Sequence, residues 1–372
     1  MDFEFTDEQN SLRDAVARWV EKGFGFERRH ALAREGGAAR AVWTELSGLG
    51  LTGLAVPEDH GGLGFGPVEA MVVAEELGRG LVHAPYAQGA LLAPALLAHA
   101  DAALRDAWLP RIADGSALVV LAHQERGARY RTDQVGTCAG RRDDGSWVLA
   151  GTKSVVPAGD EADAFVVPAH SSTGIHLFLV PRDAPGLAVR GYPTQDGARA
   201  AEVTLADTPA QLAAQDGAAL LEHAVDIGIA AACAEAVGLM DRLVAITVDY
   251  MNTRRQFGVP IASFQALRHR IADVKMQLEL GRSMSYYATL KLGEAPAARR
   301  RALSQAKVQL GHSMRFVGQQ CIQLHGGIGV TDDYVASHYF KRLTVLEMTF
   351  GDTLHHLGEV SARMQDTAGV FA

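Results

Sequence analysis

Gln323-Leu324-His325-Gly326-Gly327-Ile328-Gly329 is the stretch on which the fold turns. It follows a run at helical spacing, from Pro296 to Leu324, and precedes Thr331-Asp332. Adjacent glycines let a backbone approach a ligand closely and turn N–H groups toward an anion. The same glycines also read as a C-cap that ends a helix. Upstream stands Arg254-Arg255-Gln256-Phe257-Gly258-Val259-Pro260-Ile261, followed by Phe264-Gln265 and His269-Arg270. A guanidinium binds phosphate bidentately, and Phe257 offers a face to a planar ring. A cationic helix end before a Gly/Pro turn accounts for the same residues through the helix dipole. Each motif alone is common, and the two together in one helical region are far more specific.

That region is long and regular. Helical patterns run from Ala218 to about Asn252, from Phe264 to Leu292 and from Pro296 to Leu324. Pro296 suits a first helical turn, where its missing N–H costs nothing. Such lengths predict a four-helix bundle, which also serves as an oligomer interface. The middle of the chain reads as strands. Leu118–Leu121, Phe165–Val167 and Ile175–Val180 are short apolar runs separated by turn residues. Asp144-Gly145, between Cys138–Arg142 and Trp147–Leu149, predicts a hairpin with a two-residue turn. The spacing suggests a barrel or sandwich. The first part is helical, with a Thr6/Gln9 capping box, apolar residues at Leu12, Val16, Trp19 and Val20, and patterns from Val68 to Leu77 and from Gln88 to His99. The predicted division is a helical domain at 1–115, a β-domain at 116–213 and a helical bundle at 214–372, an α+β multi-domain chain.

Composition narrows the function. The formal net charge of -8 gives no basic stripe for nucleic acid. Cys138, Cys233 and Cys321 are far apart and odd in number, which suggests neither disulfides nor zinc and predicts three buried small hydrophobes in a reduced compartment. The acidic start Asp2-Phe3-Glu4 is unlike a signal peptide, and Asp226 and Glu235 interrupt the most apolar run, so no membrane span and a cytoplasmic location are expected.

R-x-x-F-G-x-P-I, then F-Q, then Q-x-x-G-G-x-G resembles the FAD site of acyl-CoA dehydrogenases. The resemblance extends to Leu54-Ala55-Val56-Pro57-Glu58, to Gly61-Gly62-Leu63-Gly64, to Glu75-Glu76-Leu77-Gly78 and to Gly151-Thr152-Lys153 with Ala162-Asp163. It implies the acyl-CoA dehydrogenase fold: an N-terminal helical domain, a central β-barrel or sandwich and a C-terminal four-helix bundle. It implies that Arg254, Phe257, Gln265, Gln323, Gly326 and Gly327 bind FAD, the last three reaching into a neighbouring subunit's site. A homo- or hetero-tetramer follows. The implied reaction is α,β-desaturation of an acyl-CoA, with electrons passed to an electron-transfer flavoprotein.

The chain departs from the family at two places. The family's W-I-T-N reads Val155-Val156-Pro157-Ala158, so a hydroxyl near the flavin and a shielding indole are replaced. His123-Gln124-Glu125-Arg126 stands where the family has T-E-P. The usual base, a Glu in Y-E-G-T, aligns with Phe350 in Glu347-Met348-Thr349-Phe350-Gly351-Asp352. α-Proton removal needs a close carboxylate. Glu235, among Ala232, Cys233, Ala234 and Ala236, is the candidate base, as on an earlier bundle helix in some family members. An ion-paired helix glutamate is the other reading of the same residue. Asp352 reads as a cap or orienter for His355 or His356. Arg190-Gly191-Tyr192-Pro193-Thr194-Gln195-Asp196-Gly197 and His338-Tyr339-Phe340-Lys341-Arg342-Leu343-Thr344 resemble the small subunits of pimeloyl-CoA-type, heteromeric dehydrogenases. That implies either a dehydrogenase or a non-catalytic partner subunit that contributes to the FAD site.

Overall fold

Thr6 accepts from the Gln9 N–H while the Gln9 side chain returns to the Thr6 N–H, so helix α1 (Asp7–Gly23) starts on the expected reciprocal cap. The computed structural model describes residues 4–34 and 39–364. Helices α2 (Phe26–Arg34), α3 (Ala39–Gly48) and α4 (Pro67–Arg79) follow. A π-helical turn at Ala87–Leu92 then runs into α5 (Ala93–Leu97), and α6 (Ala102–Ala113) completes the N-terminal helices. The widened turn immediately precedes Pro94, whose ring clashes with the carbonyl four residues back in a regular helix.

Seven strands come next: β1 (Val119–Leu121), β2 (Cys138–Arg141), β3 (Trp147–Pro157), β4 (Ala164–Ser171), β5 (Gly174–Pro181), β6 (Leu187–Pro193) and β7 (Arg199–Ala214). Strands β4, β2, β3, β7 and β5 pair in that order, and β5 pairs back onto β4. The ring therefore closes as a barrel, with β1 added at β4 and β6 at β7. Closure turns one face of the ring inward. Phe165, Phe178, Leu149 and Val203 are fully buried there.

Two details differ from the sequence reading. The β2–β3 hairpin forms, but Gly145 (φ 82) donates to Arg142 O and Arg142 N–H donates to Ser146 O, so the turn is longer than two residues. Gly145 supplies the left-handed step of a three-residue loop. The tight connection lies instead at Ser172-Thr173, because Ser171 pairs directly with Gly174. Cys138 is exposed rather than buried, since its strand faces solvent, while Cys233 and Cys321 are buried.

The rest is helical: α7 (Gly217–Thr253), a two-strand hairpin of β8 (Arg255–Gln256) and β9 (Val259–Pro260), α8 (Gln265–Lys291), α9 (Pro296–His325), a 3-10 turn at Gly326–Val330, α10 (Val335–Met348) and α11 (Thr353–Ala362). Pro296 sits in the first turn of α9, as its missing N–H allows. By contacts the chain forms two compact units that do not follow chain order. Met1–Arg29, Pro67–Val82 and Ile229–Ala372 form one, and His30–Gly66 with His83–Gly228 form the other. In the first unit, Val274, Leu278, Gly281, Ser285 and Ala288 form the buried stripe of α8. Glycines bring α4 and α7 into backbone contact. A Cβ at Gly238 would lie 1.8 Å from Glu75 O, and one at Gly78 would lie 2.2 Å from Glu235 O.

Candidate cofactor and active site

The C-terminal end of α7 leads directly into the β8–β9 hairpin. Arg254 N–H donates to Tyr250 O, closing the helix, and Ile261 N–H donates to Arg254 O, closing the hairpin. At its tip Phe257 (φ 53) and Gly258 (φ 82) both adopt the left-handed conformation. Phe257 is 91% exposed and touches Phe264 edge-on at 6.1 Å between centroids. A phenylalanine so exposed and held in a disfavoured conformation is a surface prepared for something outside this chain's own core. Arg254 and Gln265 are also exposed, with Gln265 opening α8 beside the hairpin.

The second motif ends α9. Gln323 is exposed on its last turn. Gly326 (φ 66, ψ -143) breaks the helix with a conformation reserved for glycine. A Cβ at Gly326 or Gly327 would meet no atom within 4 Å, so close packing within the chain is not what excludes side chains at these two positions. Open space at paired glycines leaves their backbone accessible to a molecule held against the surface. The two motifs meet through the ring of His325, which stacks on Tyr250 at 4.7 Å.

In the β-domain, Val155 is 48% exposed and, like Ala158, has a left-handed backbone (φ 51 and φ 50). The register of β3 against β7 shifts between Lys153 and Val156. This bulge is anchored from inside. Lys153 is fully buried and donates to Glu125 Oε1 at 2.6 Å, and Glu125 also accepts from Gly136 N, Thr137 N and Thr137 Oγ1. Burial pulls the Lys153 ammonium down to about 8, against the opposing pull of Glu125. Pro157 offers no hydroxyl at this segment.

Three carboxylates stand near the family's base position or its alternative. Glu235 on α7 is gripped by Arg342 of α10, with Nε to Oε1 at 2.6 Å and Nη2 to Oε2 at 3.0 Å. Both of its oxygens are engaged. Glu347 Oε1 accepts from Thr353 N at 3.0 Å and Thr353 Oγ1 at 2.6 Å. Asp352 caps α11, accepting from His355 N at 2.8 Å, the role read for it in the sequence. Between them Phe350 (φ 58) is 9% exposed and carries no titratable group.

The turn around Phe350 is held from below. Lys307 is 1% exposed and its Nζ donates to Leu346 O, Glu347 O and Gly351 O at 2.9, 2.8 and 2.9 Å. Burial pulls this lysine down to about 8. His356 Nε2 lies 3.0 Å from Phe350 O, so it carries the proton and donates. Burial, then the nearby Lys307 charge, pushes the His356 ring down to about 3. Sequence reasoning missed Arg342, Lys307 and His356 as partners. Arg342 is 107 residues from Glu235, and no local spacing links them.

Comparison with known proteins accounts for this layout along nearly the whole chain. The acyl-CoA dehydrogenase N-terminal domain matches residues 6–116, the middle domain 121–207 and the C-terminal domain 215–365. The chain belongs to the acyl-CoA dehydrogenase family, FAD-dependent oxidoreductases acting on CH–CH bonds. It is similar to the acyl-CoA dehydrogenase FadE27 of Mycobacterium tuberculosis, 28% identical over 99% of this chain and 100% of that protein. Among solved structures, a variant of the Tcur3481–Tcur3483 steroid ACAD superposes with a TM-score of 0.89 at 30% identity, covering 98% of this chain and 99% of that one. The ChsE4–ChsE5 complex from Mycobacterium tuberculosis also gives 0.89, at 27% identity over 99% and 100% of the two chains. No helix among the described residues is long and apolar enough to cross a membrane.

Proposed function

We propose that this chain is the FAD-holding subunit of a two-chain acyl-CoA dehydrogenase, in which a partner chain carries the base that removes the α-proton of a CoA thioester. The observation that carries this reading is the engagement of every candidate carboxylate. Glu235 is clamped by Arg342, Glu347 accepts from Thr353, Asp352 caps a helix, and Phe350 occupies the remaining place. Two of the solved structures it resembles bear names of chain pairs, which supports a heteromer.

In this reading Arg254 binds the pyrophosphate and Phe257 packs against the adenine side. Gln265 adds a polar contact at the start of α8. Gln323, Gly326 and Gly327 close over a neighbouring chain's cofactor with exposed backbone N–H groups. Bound FAD supplies the two-electron acceptor, which an electron-transfer flavoprotein reoxidises. The buried Lys307 and His356 contacts keep the Phe350 turn rigid, so this chain shapes the site without moving a proton. The complex works in the cytoplasm.

Glu235→Gln in the assembled complex separates the possibilities. Glutamine keeps one acceptor for Arg342 but cannot take a proton. Turnover within about threefold of the wild type is expected, because loss of a true general base costs about 100-fold or more. A loss of that size, measured as anaerobic bleaching of flavin absorbance by acyl-CoA, would make Glu235 the base and this chain catalytic by itself.

A further inference from the structure

His325 sits between the two cofactor motifs and is itself unassigned. It is the last residue of α9 and is 2% exposed. Its Nδ1 lies 2.8 Å from Cys321 O. A carbonyl only accepts, so Nδ1 carries the proton and the neutral ring presents Nε2 as a lone pair. Nε2 is buried and has no hydrogen-bond partner among the described residues. The ring is packed against Tyr250 of α7 at 4.7 Å and Tyr334, just before α10, at 5.1 Å. Tyr250 is also the residue whose carbonyl receives Arg254 N–H, where the hairpin leaves the helix.

The glycine turn is wound on the same post. A Cβ at Gly329 would lie 2.8 Å from His325 Cβ and 2.9 Å from Ile322 O, so the turn folds back onto the root of His325. The third glycine of the motif therefore answers to His325 and α9, whereas Gly326 and Gly327 stay open.

We propose that His325, as the neutral Nδ1–H tautomer, positions the Gly326–Gly329 turn against the base of the Arg254 hairpin, and that proton uptake at Nε2 releases the turn. A second N–H there would find no acceptor. The groups facing the ring are Tyr250 and Tyr334, with Cys321 on its own helix and Asp249 beside Tyr334. None of them lies at a distance that would pair with an imidazolium in the packed turn. Burial already pushes the His325 ring below the usual histidine range. In a released turn the ring regains the ordinary value of about 6.5. The packed turn is then fully favoured above that value and loses ground as pH falls below it. The consequence for cofactor binding rests on the function proposed above, whereas release of the turn does not.

Hydrogen–deuterium exchange of residues 321–334 in the full chain, with any co-purifying partner, tests this at about pH 7.5 and about pH 5.5 after correction for intrinsic rates. Wild-type protection of the turn should fall about tenfold on acidification, and FAD affinity, read by flavin fluorescence quenching, should fall with it. His325→Phe keeps the stacking and cannot titrate, so its protection and affinity should not respond to this pH change. His325→Gln serves the same purpose should the phenylalanine variant not fold. Parallel pH profiles in wild type and variant would overturn the proposal. Absence of FAD binding at both pH values would instead remove the cofactor reading, and the exchange profile would still decide the role of His325.

Discussion

At the scale of single residues, this chain keeps two histidines neutral at pH values where solvent would protonate them. His356 is fully buried, and its ring is pushed down to about 3 by burial and by Lys307. His123 in the β-domain is pushed down to about 4 by burial and by Lys153. Both rings are neutral in the folded protein at neutral pH, and an unfolded histidine titrates near about 6.5. Their folded values are depressed, so the unfolded chain binds more protons between those limits and stability falls as pH drops. The urea midpoint should be level from about pH 6.5 to about pH 7.5 and decline steadily toward about pH 4. His356→Gln retains a donor for Phe350 O and removes the titration, so its midpoint should decline less steeply. An unchanged slope would show that the ring is not neutral in the folded state.

At the scale of elements, the crossing of α4 and α7 depends on glycine at two points. Gly238→Ala would gain about 1 kcal/mol of helix propensity if the site were open. The new Cβ, however, would lie 1.8 Å from Glu75 O, a backbone atom that cannot step aside. The helices would have to separate. That would strain the ion pairs of Arg282 with Glu75 and Asp241, and of Arg79 with Asp241, which join α4, α7 and α8. A net loss of about 2–4 kcal/mol is expected, from overpacking together with disturbed buried charges. Calorimetry should register it as a lower melting temperature. A stabilised variant would mean that the crossing is looser than the backbone distances state.

At the scale of the whole molecule, α8 presents a second stripe to solvent. Met276, Leu280, Tyr287 and Leu290 are 54, 45, 36 and 53% exposed and recur at helical spacing on the side away from its buried face. With Phe257 they form apolar surface that a monomer has no use for. Assembly through this face is expected, consistent with a tetramer. Leu280→Lys should reduce the mass in light scattering to that of smaller species and leave the helical circular dichroism unchanged. An unaltered mass would place the interface elsewhere.

Sequence alone determined what depends on neighbours along the chain. Spacing set the three long helices: the patterns 264–292 and 296–324 became Gln265–Lys291 and Pro296–His325. The Thr6 cap and the Asp352 cap were equally legible, because a cap is made within three residues. The paired motifs were legible too, since a left-handed glycine and an exposed Arg and Phe are local properties. The tightness of the β2–β3 turn was misjudged, because Asp-Gly suits both a two-residue turn and a three-residue loop with a left-handed glycine. Only the tertiary structure showed the partner of Glu235, because Arg342 lies 107 residues away. The Lys307 grip on the Phe350 turn and the packing of His325 against two tyrosines arise in the same way. Each is made where distant helices meet, and contacts between distant segments leave no periodicity in a single sequence.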